Sequence, residues 1–240
     1  MIAITFDTDW IEESIIKELD LLNLVPGNMT FFCTDYYPYL DGKENVEIGI
    51  HPRLDWNSDW IKETKDLEKK FNSKIHGIRP HSLSHTQMYG IELAKMGYKY
   101  ISQATYLYYE GLRVDRHPWG IFELPIYYMD SMDFTFQLNW KTNNEAFNFD
   151  IIEKALADEN GLYVFDFHPI HLFLNSPSIE FYHKNRENLH TSSPFKGRGT
   201  KTFFDELCAE MNKKNIASKS LIEIVNQSKD EVFKMVIKND

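Results

Sequence analysis

Apolar and polar positions alternate from the first residues of the chain. Ile2, Ile4 and Phe6 are interleaved with Ala3 and Thr5, the period of a short strand. That run stops abruptly at Asp7-Thr8-Asp9. From Ile11 to Leu24 the spacing of Ile11, Ile15, Ile16, Leu19 and Leu22 is helical, with Glu12 and Glu13 in the first turn and Pro26-Gly27 as the stop. Met29 to Cys33 and Val46 to Ile50 are predicted strands, separated by a loop carrying Tyr36, Tyr37 and Tyr39. Ser58 to Phe71 is predicted as a charged helix, Ile75 to Ile78 as a strand, and Thr86 to Met96 as a helix stopping at Gly97. Further strands are predicted at Tyr98 to Gln103, Phe122 to Tyr128 and Leu162 to Phe167, with helices at Glu145 to Asp158, Thr200 to Asn212 and Lys219 to Gln227. Seven strands alternating with helices imply a parallel α/β architecture. The segment from Leu174 to Gly199 is predicted as the longest irregular region, placed to cover a site.

Composition narrows the partners. The 240 residues carry a net charge of −10 and no Lys/Arg cluster, which argues against nucleic acid or an anionic membrane surface. A small neutral or lightly charged substrate, small molecule or oligosaccharide, fits better, and the 15% aromatic content suits either core or sugar-stacking surface. No apolar run reaches 18 residues and the chain opens directly on a strand. A single cytoplasmic domain is therefore expected, without a membrane span; its oligomeric state is open. Cys33 and Cys208 are far apart and form no CxxC motif, so free buried thiols are expected.

Candidate chemistry collects where strands end, the end at which parallel barrels place catalytic groups. Asp7 and Asp9 follow the first strand, His51 the third, Arg79 and His81 the fourth, Asp130 the run 122–128, and His168 the last. Residues i and i+2 of a strand share a face, so Asp7 and Asp9 project together. Such a pair is relieved if a divalent metal binds one carboxylate and the other serves as a base; alternatively Asp9 caps the following helix. His51 and Asp55 have i, i+4 spacing, as do His81 and His85. Asp55 is equally a capping or surface residue, and His81 is the better ligand candidate of its pair. Asp166 and His168 alternate with Phe165 and Phe167, which makes His168 a candidate proton donor or a hydrogen-bonded core histidine. Trp10, Asp130 and His171 stand as substrate-binding candidates; Trp56, Trp119 and Trp140 also offer stacking faces, although packing explains each of them.

In order, these motifs resemble the polysaccharide deacetylase family, carbohydrate esterase family 4. Thr5-Phe6-Asp7-Thr8-Asp9 resembles its Asp-x-Asp motif, His51 to Asp55 falls where it has His-(Ser/Thr)-x-x-His, Arg79-Pro80 looks like its arginine motif, and His168 like its final histidine. Ile48-Gly49-Ile50-His51-Pro52 and Phe167-His168-Pro169-Ile170-His171 look closest to a divergent WbmS-like branch associated with surface-polysaccharide gene clusters. The resemblance spans about residues 2 to 175. It implies a distorted (β/α)7 barrel, a divalent metal, most simply zinc, and removal of acetyl groups from sugars. Carried across, Asp7 would be the base, Asp9 and His51 metal ligands, Arg79 the orienter of the base and His168 the acid. The chain departs at Asp55, where a histidine ligand is expected. Either Asp55 replaces it, His81 supplies the third ligand, or the protein has lost activity.

Two other functions compete with a deacetylase. A metal-dependent phosphoesterase uses similar His/Asp clusters, and a screen separating acetate from phosphate release discriminates it. A carbohydrate-binding pseudoenzyme would keep the cleft and lose the metal.

Overall fold

A computed structural model describes residues 1–135 and 145–228; Trp140 lies outside them. The strands are β1 (Ile2–Asp7), β2 (Met29–Cys33), β3 (Val46–Ile50), β4 (Gly77–Ile78), β5 (Tyr100–Ile101), β6 (Asp115–Arg116), β7 (Phe122–Glu123), β8 (Ile126–Met129) and β9 (Tyr163–Phe167). They form one sheet in the order β6-β7-β5-β4-β3-β2-β1-β9-β8, parallel throughout except for β6 against β7. The predicted strand from Phe122 to Tyr128 is thus two. Pro125 has no N–H to donate and breaks the ladder: β7 before it pairs with β5 and β8 after it with β9, while Leu124 N–H and Ile126 N–H still donate to Ile101 O at 3.0 Å and Ala104 O at 2.8 Å, both in the β5 segment. Because the two ends of the sheet are consecutive in the chain, the sheet curls into the distorted (β/α)7-type barrel.

Helices cover the outside. The predicted first helix is divided into α1 (Glu13–Glu18) and α2 (Leu21–Leu24) by Asp20, whose φ of 53° interrupts the turn. α3 (Trp60–Glu68) starts at Asp59, whose carboxylate accepts from the Ile61 and Lys62 N–H groups. α4 (Gln87–Met96) runs from a Thr86 cap to Gly97 at φ 95°. α5 (Asp130–Thr135), α6 (Asp150–Ala157), α7 (Pro169–Leu174), α8 (Ile179–Asn185) and α9 (Thr200–Lys213) follow, and a helix spans 221–228. The predicted irregular region at 174–199 therefore contains α8. No helix among the described residues is long and apolar enough to cross a membrane.

The strand alternation divides the core in two. Ile2, Ile4, Phe6, Phe31, Phe165 and Phe167 face outward under the helices. Ala3, Phe32, Tyr100, Phe122, Leu124 and Val164 face inward, and Leu221, Ile224 and Val225 of the last described helix close that interior from below. Two glycines make room for its rings. A Cβ on Gly77 would lie 1.9 Å from Tyr100 Cζ, and one on Gly49 would lie 2.6 Å from the Phe32 ring. The buried Glu47 carboxylate accepts from Thr30 Oγ1, Tyr100 Oη and the Ile222 N–H at 2.9 Å each, tying the closing helix to the barrel. Burial, opposed by those donors, pushes its pKa up to about 7.

Candidate active site and metal centre

The upper ends of the inward-facing columns carry the polar residues. Continuing the alternation of Ala3, β1 directs Thr5 and Asp7 inward, and Val164, Asp166 and His168 continue likewise along β9. Arg79, directly after β4 and fully buried, lies across the barrel with its guanidinium carbon 4.3 Å from the centroid of the Phe32 ring. Its Nη1 donates to Asp7 Oδ1 at 2.9 Å, to Thr5 Oγ1 at 3.0 Å and to Asp166. Nε and Nη2 donate to the Ser102 carbonyl and hydroxyl, at 2.9 Å each. One cation thus faces two buried carboxylates. Burial and the Asp7 charge raise the Asp166 pKa against the pull of Arg79. Asp166 and Ser102 are members of this network that sequence reasoning did not place in the site; the 164–168 alternation was the available signal for Asp166.

Asp9 stands above Asp7. His51 Nε2 and His81 Nδ1 each lie 3.1 Å from Asp9 Oδ2. The His81 N–H donates to the Pro52 carbonyl at 3.0 Å, which docks the loop after β4 against the residues that follow β3 and sets the two rings 5.4 Å apart. Burial disfavours charge on both Asp9 and His51. The imidazoles nevertheless hold Asp9 far below the carboxylate range, while Asp7 and Asp9 raise His51. Asp55 is a correction: it is exposed, and residues 51–55 form no helical turn that could bring its carboxylate back to His51. Its backbone carbonyl instead accepts from Ser58 N–H and Trp60 Nε1.

Asp130 is a second correction. Placed as a substrate contact by its strand-end position, it is fully buried behind His168. Its Oδ1 accepts from His168 Nδ1 at 2.7 Å and its Oδ2 from the His168 N–H at 2.8 Å, and His171 Nδ1 lies 3.3 Å from the same Oδ2. Burial works against a charged His168, but Asp130 outweighs it and brings the imidazole up to about 10. The opposite occurs at His171, where burial prevails and lowers the pKa. His168 Nε2 points back toward Asp9, 3.9 Å from Oδ2.

These residues line a cleft of about 400 Å³. Asp7, Asp9, His51, His81 and His168 form its floor, Trp10 and His171 stand in its walls, and Ile179 and Tyr182 of α8 close one side. Trp10 is 56% exposed with φ 57°, a left-handed conformation that is rare for a bulky side chain. His85 lies away from the metal donors, stacked beside His117, and Trp56 is exposed on the outer surface.

Among the described residues, three groups of potential ligands have donor atoms within 4.8 Å of one another: Asp9, His51 and His81; Asp130, His168 and His171; Asp7, Asp166 and His168. In the latter two the carboxylates are engaged by His168 and Arg79. The first opens on the cleft and leaves the buried Asp9 Oδ1 without a partner. Its donor separations of 3.1 Å are close to the ~3.3 Å between neighbouring ligands of a tetrahedral divalent ion. One carboxylate and two imidazoles, with room on the cleft side, suit such an ion.

A sequence model of the family described as WbmS-like polysaccharide deacetylase matches residues 4–186. The chain belongs to that family. Among solved structures, the chain is similar to a Bordetella bronchiseptica protein described as a polysaccharide deacetylase involved in O-antigen biosynthesis, with 20% identity, TM-score 0.72, and coverage of 87% of this chain and 90% of that one. A Mycobacterium smegmatis protein described as a polysaccharide deacetylase is similar at 16% identity and TM-score 0.56, covering 96% and 90%. These likenesses concern the fold. Comparison with curated proteins gave no match.

Metal analysis tests the donor set. Asp9→Ala and His81→Ala are each expected to lower divalent-metal affinity at least tenfold, while Asp55→Ala leaves it within about twofold, because carboxylate 55 is outside the cluster. Ligation requires neutral imidazoles, and His51 is raised above 6.5 without metal, so affinity should climb with pH across a window above that value. Unchanged affinity in His81→Ala would remove His81 from the donor set.

Proposed function

We propose that the protein is a metal-dependent hydrolase that removes the acetyl group from an N-acetylated sugar or sugar precursor in surface-polysaccharide biosynthesis. The observation carrying this reading is that Asp7, oriented by Arg79, and His168, oriented by Asp130, line one cleft whose floor holds the Asp9, His51 and His81 donors. Family membership supplies the reaction class, and the O-antigen role stated for the Bordetella protein supports the biosynthetic setting.

Asp9, His51 and His81 would hold the ion, most simply zinc for a carboxylate with two imidazoles. When bound it supplies Lewis acidity to the acetyl carbonyl and lowers the pKa of water toward ~7. Arg79 fixes Asp7 through Oδ1, and Oδ2, which makes no hydrogen bond to Arg79 and lies 3.9 Å from His51 Nδ1, would accept the proton of the attacking water. As the new C–O bond forms and the C–N bond breaks, His168 Nε2 donates a proton to the departing nitrogen. Acetate and a free amine result, after which Asp7 releases its proton and His168 regains one. The Asp130 carboxylate keeps His168 charged and turned to the cleft, as a general acid requires. A pseudoenzyme is not favoured, because His81 lies beside Asp9, where it could supply the ligand that Asp55 does not, and Asp7 and His168 are both present for proton transfer.

The test is acetate release from N-acetylated sugars by metal-loaded protein, compared with an activated acetate ester. His168→Ala should lose about 10²-fold on the amide and far less on the ester, whose leaving group departs without a donated proton. Equal losses on both substrates would rule out leaving-group protonation, and no acetate from any sugar would rule out the reading as a whole.

A further inference from the structure

The cleft does not end at the metal donors. His81 and Ser82 are also walls of an adjoining polar pocket of about 400 Å³, continued by Arg53, Leu54, Asp55 and Ser84. A single acetylated sugar over Asp7 and His168 leaves that pocket to whatever is bonded to the sugar. Strained backbone marks both sides of the trough, with φ of 57° at Trp10, 56° at Ser82 and 54° at Leu83, as expected where function fixes a conformation.

Arg53 is the cation of this second pocket. Its guanidinium carbon lies 3.7 Å from the centroid of the Trp10 ring. Arg79 and Arg198 engage carboxylates, whereas no carboxylate among the described residues pairs with Arg53. Stacking on indole restrains the guanidinium while leaving its N–H edge available, the geometry suited to bidentate recognition of phosphate or carboxylate. In a chain of net charge −10, an anionic ligand needs such a local cation.

Resting on the deacetylase reading, we infer that the Arg53 pocket receives an oxyanion, phosphate or carboxylate, carried by the group bonded to the acetylated sugar. The substrate class is then a sugar phosphate, a nucleotide sugar or an acidic oligosaccharide rather than a neutral glycan. Asp55, in the same pocket, makes the inference sharp. Its carboxylate opposes an anion but would accept hydrogen bonds from a neutral sugar, so charge and hydroxyl recognition predict opposite effects of removing it.

The experiment uses metal-loaded full-length protein and three probes: UDP-N-acetylglucosamine, a disaccharide of N-acetylglucosamine and glucuronic acid, and di-N-acetylchitobiose. Binding is read by calorimetry and acetate release in parallel. At least one anionic probe should bind tenfold or more tightly than chitobiose, and which one does so separates phosphate from carboxylate. Arg53→Gln should weaken that probe about tenfold, appearing in KM and not kcat, and Asp55→Asn should tighten it severalfold. Equal binding of charged and neutral probes, or weakening by both substitutions, would overturn the inference. Selective anion binding lost in Arg53→Gln, with no acetate from any probe, would support the pocket and count against the deacetylase reading.

Discussion

Asp7→Asn is expected to lower turnover roughly 10²- to 10⁴-fold, the worth of a general base, while the metal content of the protein is unchanged. The substitution keeps the shape and the acceptor for Arg79 Nη1, now 2.9 Å from Oδ1, and removes only the capacity to take a proton. The fold should tolerate it for an electrostatic reason. Asp166, whose pKa is raised by burial and the Asp7 charge, already contacts Arg79 and stays as its carboxyl partner once residue 7 is neutral. Kinetics with metal quantification on the same preparation decides the matter. Loss of metal from Asp7→Asn would make Asp7 a ligand and end its proposed separation from Asp9.

Arg79→Met is expected to destabilise the protein by about 3–5 kcal/mol at neutral pH, lowering Tm by roughly 10 °C for a chain of this size. Methionine fills much of the space over Phe32 but leaves Asp7 and Asp166 buried without a cation. The sign of the pH dependence follows. A buried carboxylate that has lost its cation costs free energy only while it is ionised, so the deficit relative to the parent grows as pH rises. The variant should therefore approach the parent near pH 4 and diverge from it toward pH 8. Denaturant titrations at several pH values test this; a pH-independent deficit would mean that lost packing, not uncompensated charge, is the cause.

What the sequence made legible was the part carried by period. Each of the seven predicted strands contains strand in the structure, and inward alternation correctly placed Asp166 and His168 opposite Phe165 and Phe167. Six of the strand-end residues, Asp7, Asp9, His51, Arg79, His81 and His168, converge within one barrel mouth. Long-range consequences were not legible. Pro125 divides one run between two distant partners because each side finds a different neighbour, a choice that no local pattern specifies. Asp130 ends a strand as a ligand would, yet the tertiary position of His168 makes it a buried acceptor. His51 and Asp55 have ligand spacing only on a helix, and Pro52 and the docking of His81 leave that segment without a turn.

The closing helix at 221–228 has a consequence for how the molecule is made. Ser218 Oγ accepts from the Ile4 N–H, the Lys219 N–H donates to Ile2 O, and Leu221, Ile224 and Val225 complete the interior begun by Ala3. During synthesis β1 thus waits for the last described helix, a separation of more than two hundred residues. Such high contact order slows folding, because the entropy of closing the loop is lost before the contacts repay it. Until that helix emerges, the nascent barrel exposes Phe32, Tyr100 and Val164 at its open lower end, the kind of surface on which chaperones act during synthesis.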